Sequence, residues 1–327
     1  MKRLFVLIIA LASAFCFADD VPSWLKKPEK EFPTKEYIRA TGSGNSEKAA
    51  QNAAISQISL YFDTKTDVLT LAVKQSGEII AGDKSFFASS QSFQQLTQIT
   101  SNAEFFCVKF TDSWYDKKSD KFTVLAYINK KEAAQIYTAR ITALMEAVNA
   151  YRDYAKSEKE PFLAVTALHK AKVVSNLCEK YIHNETIIVP SDTEKWQGAL
   201  KTISLIPAEH NALKKNVTFS IHLNQKDKRF DPIFSTVASI LERYGYAYSV
   251  KDSNYKIILD ISCIEESYEK GEFVRPSVDV LIVNNAGTGV YSYSKALPRT
   301  GSKTMDLAYT RAVTKIKQDL EENFLAE

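Results

Sequence analysis

Residues 131–183 read KEAAQIYTARITALMEAVNAYRDYAKSEKEPFLAVTALHKAKVVSNLCEKYIH, and this stretch organises the chain. Ala133, Tyr137, Ile141, Leu144, Val148, Tyr151 and Ala155 follow one another at spacings of 4-4-3-4-3-4. That rhythm places them on one stripe of an α-helix. Ser157-Glu-Lys-Glu-Pro161 interrupts the pattern, and Pro161 suits the first turn of a new helix, where no N–H is needed. Ala164, Ala167, Ala171, Val174, Cys178 and Tyr181 then recur at 3-4-3-4-3. Two helices, Lys131–Ser157 and Pro161–His183, joined by so short a turn, are expected to form an antiparallel hairpin about 30–38 Å long. Their stripes either pack on each other and on a domain, or leave a protruding arm for assembly contacts. Exposed aromatics near the tip, Tyr154 and Phe162, would mark the second case, with Glu158 and Lys159 beside them as partner contacts.

Upstream, Asp116-Lys-Lys-Ser-Asp120 is a turn signal, and Phe122–Ile128 reads as a strand buried on both faces. Thr64–Gln75 and Gln95–Trp114 have a strand-like pattern, and the polar stretch Gly77–Gln94 between them reads as a loop or ragged hairpin. Tyr37–Gly44 is a short strand ending in a glycine turn, Gly42-Ser43-Gly44. Ser46 then caps a helix running to about Phe62, with Ala50, Ala54, Ile58 and Tyr61 as its stripe. Before it, Asp19–Thr34 carries Pro22, Pro28 and Pro33 and reads as an extended arm.

Downstream, a shorter helix is expected over Thr193–Ile203, and Pro207–Lys215 opens the last unit. Val217–Leu223 alternates apolar and polar residues, as a half-buried strand does. Asp231 is a capping candidate with Pro232 behind it, for a helix to about Tyr244. Strands follow around Tyr246–Val250, Tyr255–Ile264, Phe273–Asn284 and Gly289–Leu297, and a helix over Ser302–Phe324 closes the chain with Met305, Ala308, Ala312, Ile316, Leu320 and Phe324 as its stripe. The fold class is therefore α+β: two mostly antiparallel sheet-plus-helix domains joined by an antiparallel helical hairpin. The expected divisions are 1–18, 19–34, 35–140, 131–204 (overlapping the preceding domain end) and 207–327.

The first eighteen residues, MKRLFVLIIALASAFCFA, have a positive start and an apolar run too short for a transmembrane helix. They read as an export signal cut after Ala18. Cys16 is the candidate for lipidation, but Phe15 occupies the place before it that a lipobox gives to a small residue. No later segment reaches spanning length. The whole chain, 327 residues with 42 basic and 39 acidic side chains, is too evenly charged for a nucleic-acid surface. Cys107, Cys178 and Cys263 are scattered and read as small buried residues rather than a disulfide framework.

Catalytic and metal signals are weak. Thr41-Gly-Ser-Gly44 could offer backbone amides to an anion, but it is neither G-x-G-x-x-G nor a P-loop, and a structural turn explains it. Gly287-Thr-Gly289 reads as a hairpin loop. His169, His183, His210 and His222 have no metal-ligand spacing, and His222 is expected to face solvent. Glu265, Glu266, Glu269 and Glu272, with Lys270 among them, read as a solvated turn. No cofactor motif and no G-x-S-x-G elbow is present.

The stretch Tyr37-Ile-Arg-Ala-Thr-Gly-Ser-Gly-Asn-Ser-Glu-Lys-Ala-Ala-Gln-Asn-Ala-Ala54 resembles the opening of the LPP-twenty lipoprotein family: an aromatic-led strand, a glycine turn and an alanine-rich helix. Trp24, Pro28 and the passage from Phe122–Ile128 into Asn129-Lys-Lys-Glu-Ala-Ala134 fit the same pattern, so the resemblance covers about Trp24 to Arg140. It implies a bacterial cell-envelope protein, periplasmic or peripherally associated with the outer membrane, without enzymatic activity. The expected function is binding or assembling other envelope proteins. A periplasmic small-ligand-binding protein is the alternative, and an exported hydrolase with residues assembled from distant positions is the third reading.

Overall fold

The computed structural model describes residues 21–62, 66–84, 86–87, 96, 107–225, 227–249 and 253–325. The expected export signal, Cys16 and most of the expected Gln95–Trp114 strand lie outside these residues. The fold is α+β with two separate sheets, and the chain divides into two units. The first takes the described parts of Met1–Val68, Glu104–Thr138 and Asn184–Ser191, and the second takes those of Leu69–Ala103, Ala139–His183 and Asp192–Glu327.

In the first unit, β1 (Tyr37–Gly44) pairs antiparallel along its whole length with β4 (Lys121–Asn129), from Tyr37 opposite Asn129 to Gly44 opposite Phe122. The short strands β2 (Lys109–Phe110) and β3 (Trp114–Asp116) also pair with β4. The expected turn before β4 is present, with Asp116 accepting from the Lys118 amide at 3.0 Å and the Ser119 hydroxyl at 2.7 Å. The expected extended arm is instead two short helices, α1 (Ser23–Lys26) and α2 (Pro28–Glu31). Trp24 is buried, and Glu29 accepts from Thr34 N–H at 2.9 Å, from the Thr34 hydroxyl at 3.0 Å and from Arg39. Phe32 packs on Tyr127 and Tyr37 at ring-centroid distances of 4.5 and 5.4 Å. These contacts within the unit replace the solvent that an extended arm would need.

Helix α3 (Glu47–Ser59) starts at the expected cap, the Ser46 hydroxyl accepting from Ala49 N–H at 3.2 Å. Ala50, Ala54 and Ile58 are its buried stripe, but Tyr61 is exposed because the helix stops at Ser59. Gly42-Ser43-Gly44 is not a free turn: all three residues lie in β1, paired with β4. A Cβ on Gly42 would overlap the Ala50 carbonyl and the Ala54 amide, and one on Gly44 would lie 2.7 Å from Ala49 Cβ. The glycines let α3 press its backbone against β1, as the small residues of the helix also do.

Thr64–Gln75 is not a strand. Its described part lies in α4 (Thr66–Gly82), which runs on into the start of the expected loop. Leu69, Ala72, Val73, Ser76, Ile79 and Ile80 are buried, a helical periodicity that overrides the β-branched residues among them. Helices α5 (Lys130–Ser157) and α6 (Pro161–Ile188) form the expected hairpin, broken before Pro161. Both expected stripes are buried throughout, and the Cys178 thiol sits 3.8 Å from the Ile141 carbonyl across the seam.

A 3₁₀ turn (Pro190–Trp196) leads into α7 (Gln197–Lys214), so Pro207 lies inside a helix rather than opening the last unit. The second unit's sheet has the order β10-β8-β7-β5-β6, with β9 also on β8. The strands are β5 (Thr218–Leu223), β6 (Ala247–Tyr248), β7 (Tyr255–Tyr268), β8 (Gly271–Asn284), β9 (Gly289–Ala296) and β10 (Thr300–Ser302). β5 runs parallel to β6 and β7, and the other pairs are antiparallel. Helices α8 (Asp231–Arg243) and α9 (Met305–Asn323) supply Val237, Ile240, Ala312 and Ile316 to a core with Ile257, Leu259, Val278 and Val280 of the sheet. Asp231 is the first residue of α8, not its cap, and Phe230 takes that position. Among the described residues no helix is long and apolar enough to cross a membrane.

Candidate functional site

The connection from α5 to α6 is only residues 158–160, and it is tightly held. Glu158 N–H donates to the Tyr154 carbonyl at 2.8 Å, continuing α5, and Glu160 N–H turns back to the Glu158 carboxylate at 2.9 Å. Glu160 then reaches the second unit's own sheet. Its carboxylate accepts from the Tyr255 hydroxyl and, at 2.8 Å, from the Asn284 side-chain amide. The same Tyr255 oxygen accepts from Phe162 N–H at 3.0 Å, satisfying an amide in the first turn of α6. Burial pushes the Tyr255 phenol well above its usual range, and the Glu160 hydrogen bond adds to the shift.

Phe162 overturns one expectation. Its side chain is 2% exposed and inserts among Phe219, Tyr255 and Tyr291, with ring-centroid distances of 6.0, 5.8 and 6.4 Å. It is therefore an anchor, not an exposed contact. The tip of the hairpin is seated on the core that α8, α9 and the sheet build. An apolar ring directly after the turn has a nearby apolar layer to enter, and burial of a phenyl group favours that by about 2–3 kcal/mol.

Beside this anchor lies a groove of about 470 Å³ between the closed end of the hairpin and α7. Its floor is aliphatic: Ala155, Ala164, Leu168 and Leu213, with Pro161 and Ala212 at the sides. Alanines at these facing helix positions leave the space unfilled. Arg152, Lys156, Glu158, Lys159 and Glu209 form the charged part of the lining. Arg152 grips Glu209 with two guanidinium nitrogens, Nε standing 2.9 Å from Oε2, and this bond holds the Glu209 carboxyl below its usual range. Glu158 is also lowered, first by the Tyr154 hydroxyl and then by the Glu160 amide. Lys156 has a surface partner in Asp153 at 3.2 Å.

Tyr154 belongs to a neighbouring hollow of about 200 Å³ lined also by Asp83, Phe86, Tyr151 and Lys170. There the Tyr151 hydroxyl donates to Asp83 at 2.8 Å, and Phe86 stacks on Tyr151 at 5.1 Å. Of the sequence-predicted tip residues, Glu158 and Lys159 thus line the groove, Tyr154 bonds Glu158 from the next hollow, and Phe162 is buried beneath them. Sequence reading missed Arg152, Glu209, Glu160, Tyr255 and Asn284. Only Glu160, directly before Pro161, stood near a signal.

The remaining candidates make contacts within the fold. The glycine strand's amides belong to a ladder region of the sheet, and the Ser43 hydroxyl bonds Thr123 Oγ1 at 2.9 Å. Glu266 pairs with Arg275 at 3.4 Å and Arg299 at 3.7 Å, while Glu265 accepts from the Tyr309 hydroxyl at 2.8 Å. His222 is exposed, as expected. His169 and His210 have ring centroids 5.9 Å apart, and burial, followed by Lys214, lowers His210 to about 4. No group of three metal-ligating side chains occurs among the described residues.

No family model and no curated protein matches the chain. Solved structures give weak likenesses to bacterial lipoproteins and a secreted protein. The secreted protein HP1454 of Helicobacter pylori is 14% identical over 89% of this chain and 99% of that one, with a TM-score of 0.35. Lipoprotein GNA1162 of Neisseria meningitidis is 10% identical over 31% of this chain and 96% of its own, with a TM-score of 0.24. A minor lipoprotein of Acinetobacter baumannii is 14% identical over 32% and 93%, with a TM-score of 0.24.

Proposed function

We propose that this chain is a non-catalytic, exported cell-envelope protein that binds or assembles other envelope components through the closed end of its helical hairpin. Export rests on the leader MKRLFVLIIALASAFCFA. The contact surface rests on one observation: the charged loop residue Lys159 is exposed, with Glu158 beside it, yet the loop is fastened by Phe162 and Glu160. A surface already held in place loses less conformational entropy when it binds.

The reading is tested by placing a photo-crosslinking residue at position 159 in intact cells and identifying what it captures. The expected result is an envelope component whose capture disappears when Glu158 and Tyr154 are replaced by Gln and Phe, the Gln oxygen still accepting from the Glu160 amide so that the loop keeps its fold. Equal capture by the wild type and this double variant would sink the assignment of the contact surface.

A further inference from the structure

We propose that a second copy of this chain lays its own β9 antiparallel along the outer edge of β9, so that the two second-unit sheets run on into one.

The edge is the first observation. Among the described residues β9 pairs with β8 alone, with Ala296 opposite Ser277 and Tyr291 opposite Ile282. Leu297 N–H donates to the Pro276 carbonyl at 2.9 Å, and hydrogen-bonded pairs recur at every second residue of an antiparallel ladder. Lys295, Tyr293 and Tyr291 therefore bond across to β8, while Ser292, Ser294 and Ala296 turn their N–H and C=O groups outward. Those three residues are exposed. A row of outward amides and carbonyls is a template for another extended strand.

The other edges of this sheet are blunted. β6 has two residues, and β10 has three, with the Gly301 carbonyl already accepting from Arg311. β9 has eight residues, about 27 Å of edge at ~3.4 Å per residue, and one charge, Lys295.

The sequence of β9, Gly289-Val-Tyr-Ser-Tyr-Ser-Lys-Ala296, points to its own copy as the occupant. In an antiparallel pair about a two-fold axis, outward-turned residues must face outward-turned residues. Ser292 opposite its counterpart satisfies this and sets Val290 opposite Ser294. The alternate row then pairs Tyr291 with Tyr293, an aromatic cross-strand pair formed on both sides of the axis. Lys295 falls opposite Gly289, so the only charge of the strand stands away from its twin. Serine and alanine at 292, 294 and 296 leave no bulk on the solvent face to bar the approach. A second copy brings this match with it. One added strand pair buries little area, so the association belongs to the weak, transient class.

Sedimentation velocity of the full exported chain from about 1 to 500 µM tests this. A monomer–dimer equilibrium is expected, with the Ser292 and Ser294 amides exchanging with deuterium more slowly at the upper concentration. Ser292→Lys and Ser292→Asp alter an exposed side chain, so melting at the lowest concentration should match the wild type. Each should weaken self-association at least about tenfold, because like charges meet across the axis. An equimolar mixture of the two variants should associate again. A chain that stays monomeric to the top of the range overturns the proposal. So does a dimer in which those two amides exchange independently of concentration, a dimer that both variants form as readily as the wild type, or a loss that mixing fails to restore.

Discussion

Two short polar segments, one in each unit, invite the same reading and do opposite things. Thr41-Gly-Ser-Gly44 has the composition of a ligand-cradling loop, yet its residues are strand and its glycines are space for a helix. Ser157-Glu-Lys-Glu-Pro161 has the composition of a free solvent loop, yet it is fastened from below by a buried ring and a buried hydroxyl. In the first segment the backbone is closed off by packing. In the second the backbone is fixed and the side chains stay available. Availability of side chains on a fixed backbone is what recognition requires, so the second segment is the better candidate.

The largest effect should come from removing the anchor. Phe162→Ala deletes a ring from a packed core and should destabilise the second unit by about 3–5 kcal/mol in urea unfolding. A loss under about 1 kcal/mol would mean that the tip is not seated, and the contrast between the two segments would collapse. Gly42→Val should come next. The added carbons meet backbone atoms of α3, which cannot rotate away, so the cost should reach or exceed the ~1–3 kcal/mol of ordinary overpacking. Its φ lies outside the left-handed region, so Gly42→Ala should already show part of that loss; if Ala is neutral, close packing is not the reason for the glycine.

Tyr255→Phe removes a hydroxyl that serves both Glu160 and the Phe162 amide, and should cost about 1–3 kcal/mol. The same variant sharpens the comparison through pH. The folded phenol is raised above its unfolded value of about 10, so its stabilisation is complete below that pH and is lost as pH climbs toward the folded value. Denaturation scans from pH 8 to 12 should therefore fall less steeply for Tyr255→Phe than for the wild type. Identical slopes would show that this phenol is neither buried nor bonded to Glu160 in the folded chain.

On the acid side the sign reverses. Glu209 is lowered in the fold, first by Arg152, so its contribution is present above the usual glutamate value of about 4.3 and fades below it. Glu209→Gln should flatten the acid limb slightly. The smallest effect should come from Lys159→Ala, within about 0.5 kcal/mol, since exposed charges add little to stability. A larger loss would mean that this residue is part of the fold, and the proposed division between anchor and contact would fail.

What could be read from the residues follows from range. The hairpin was legible because Ala133 to Tyr181 repeat at helical spacing and Pro161 marks the restart, all local signals. α4 was not, because Val68, Thr70 and Val73 suggest a strand while the buried set that decides the matter runs on to Ile80. Phe162 was found near the tip but misplaced, since its fate depends on Phe219 and Tyr255, far along the chain. Arg152 and Glu209 carry no motif at all. Their pairing exists only after α7 has packed beside α5, a tertiary event that periodicity cannot register.

The seam between α5 and α6 also contains its own clock. Cys178 is fully buried there, and burial pushes its thiol up to about 12, so its thiolate is scarce at neutral pH. Neither an alkylating reagent nor a disulfide-forming catalyst can meet that sulfur until the two helices part. Its labelling rate in the native chain, read by peptide mass spectrometry at Cys178 itself because Cys107 and Cys263 are only partly buried, therefore counts hairpin openings.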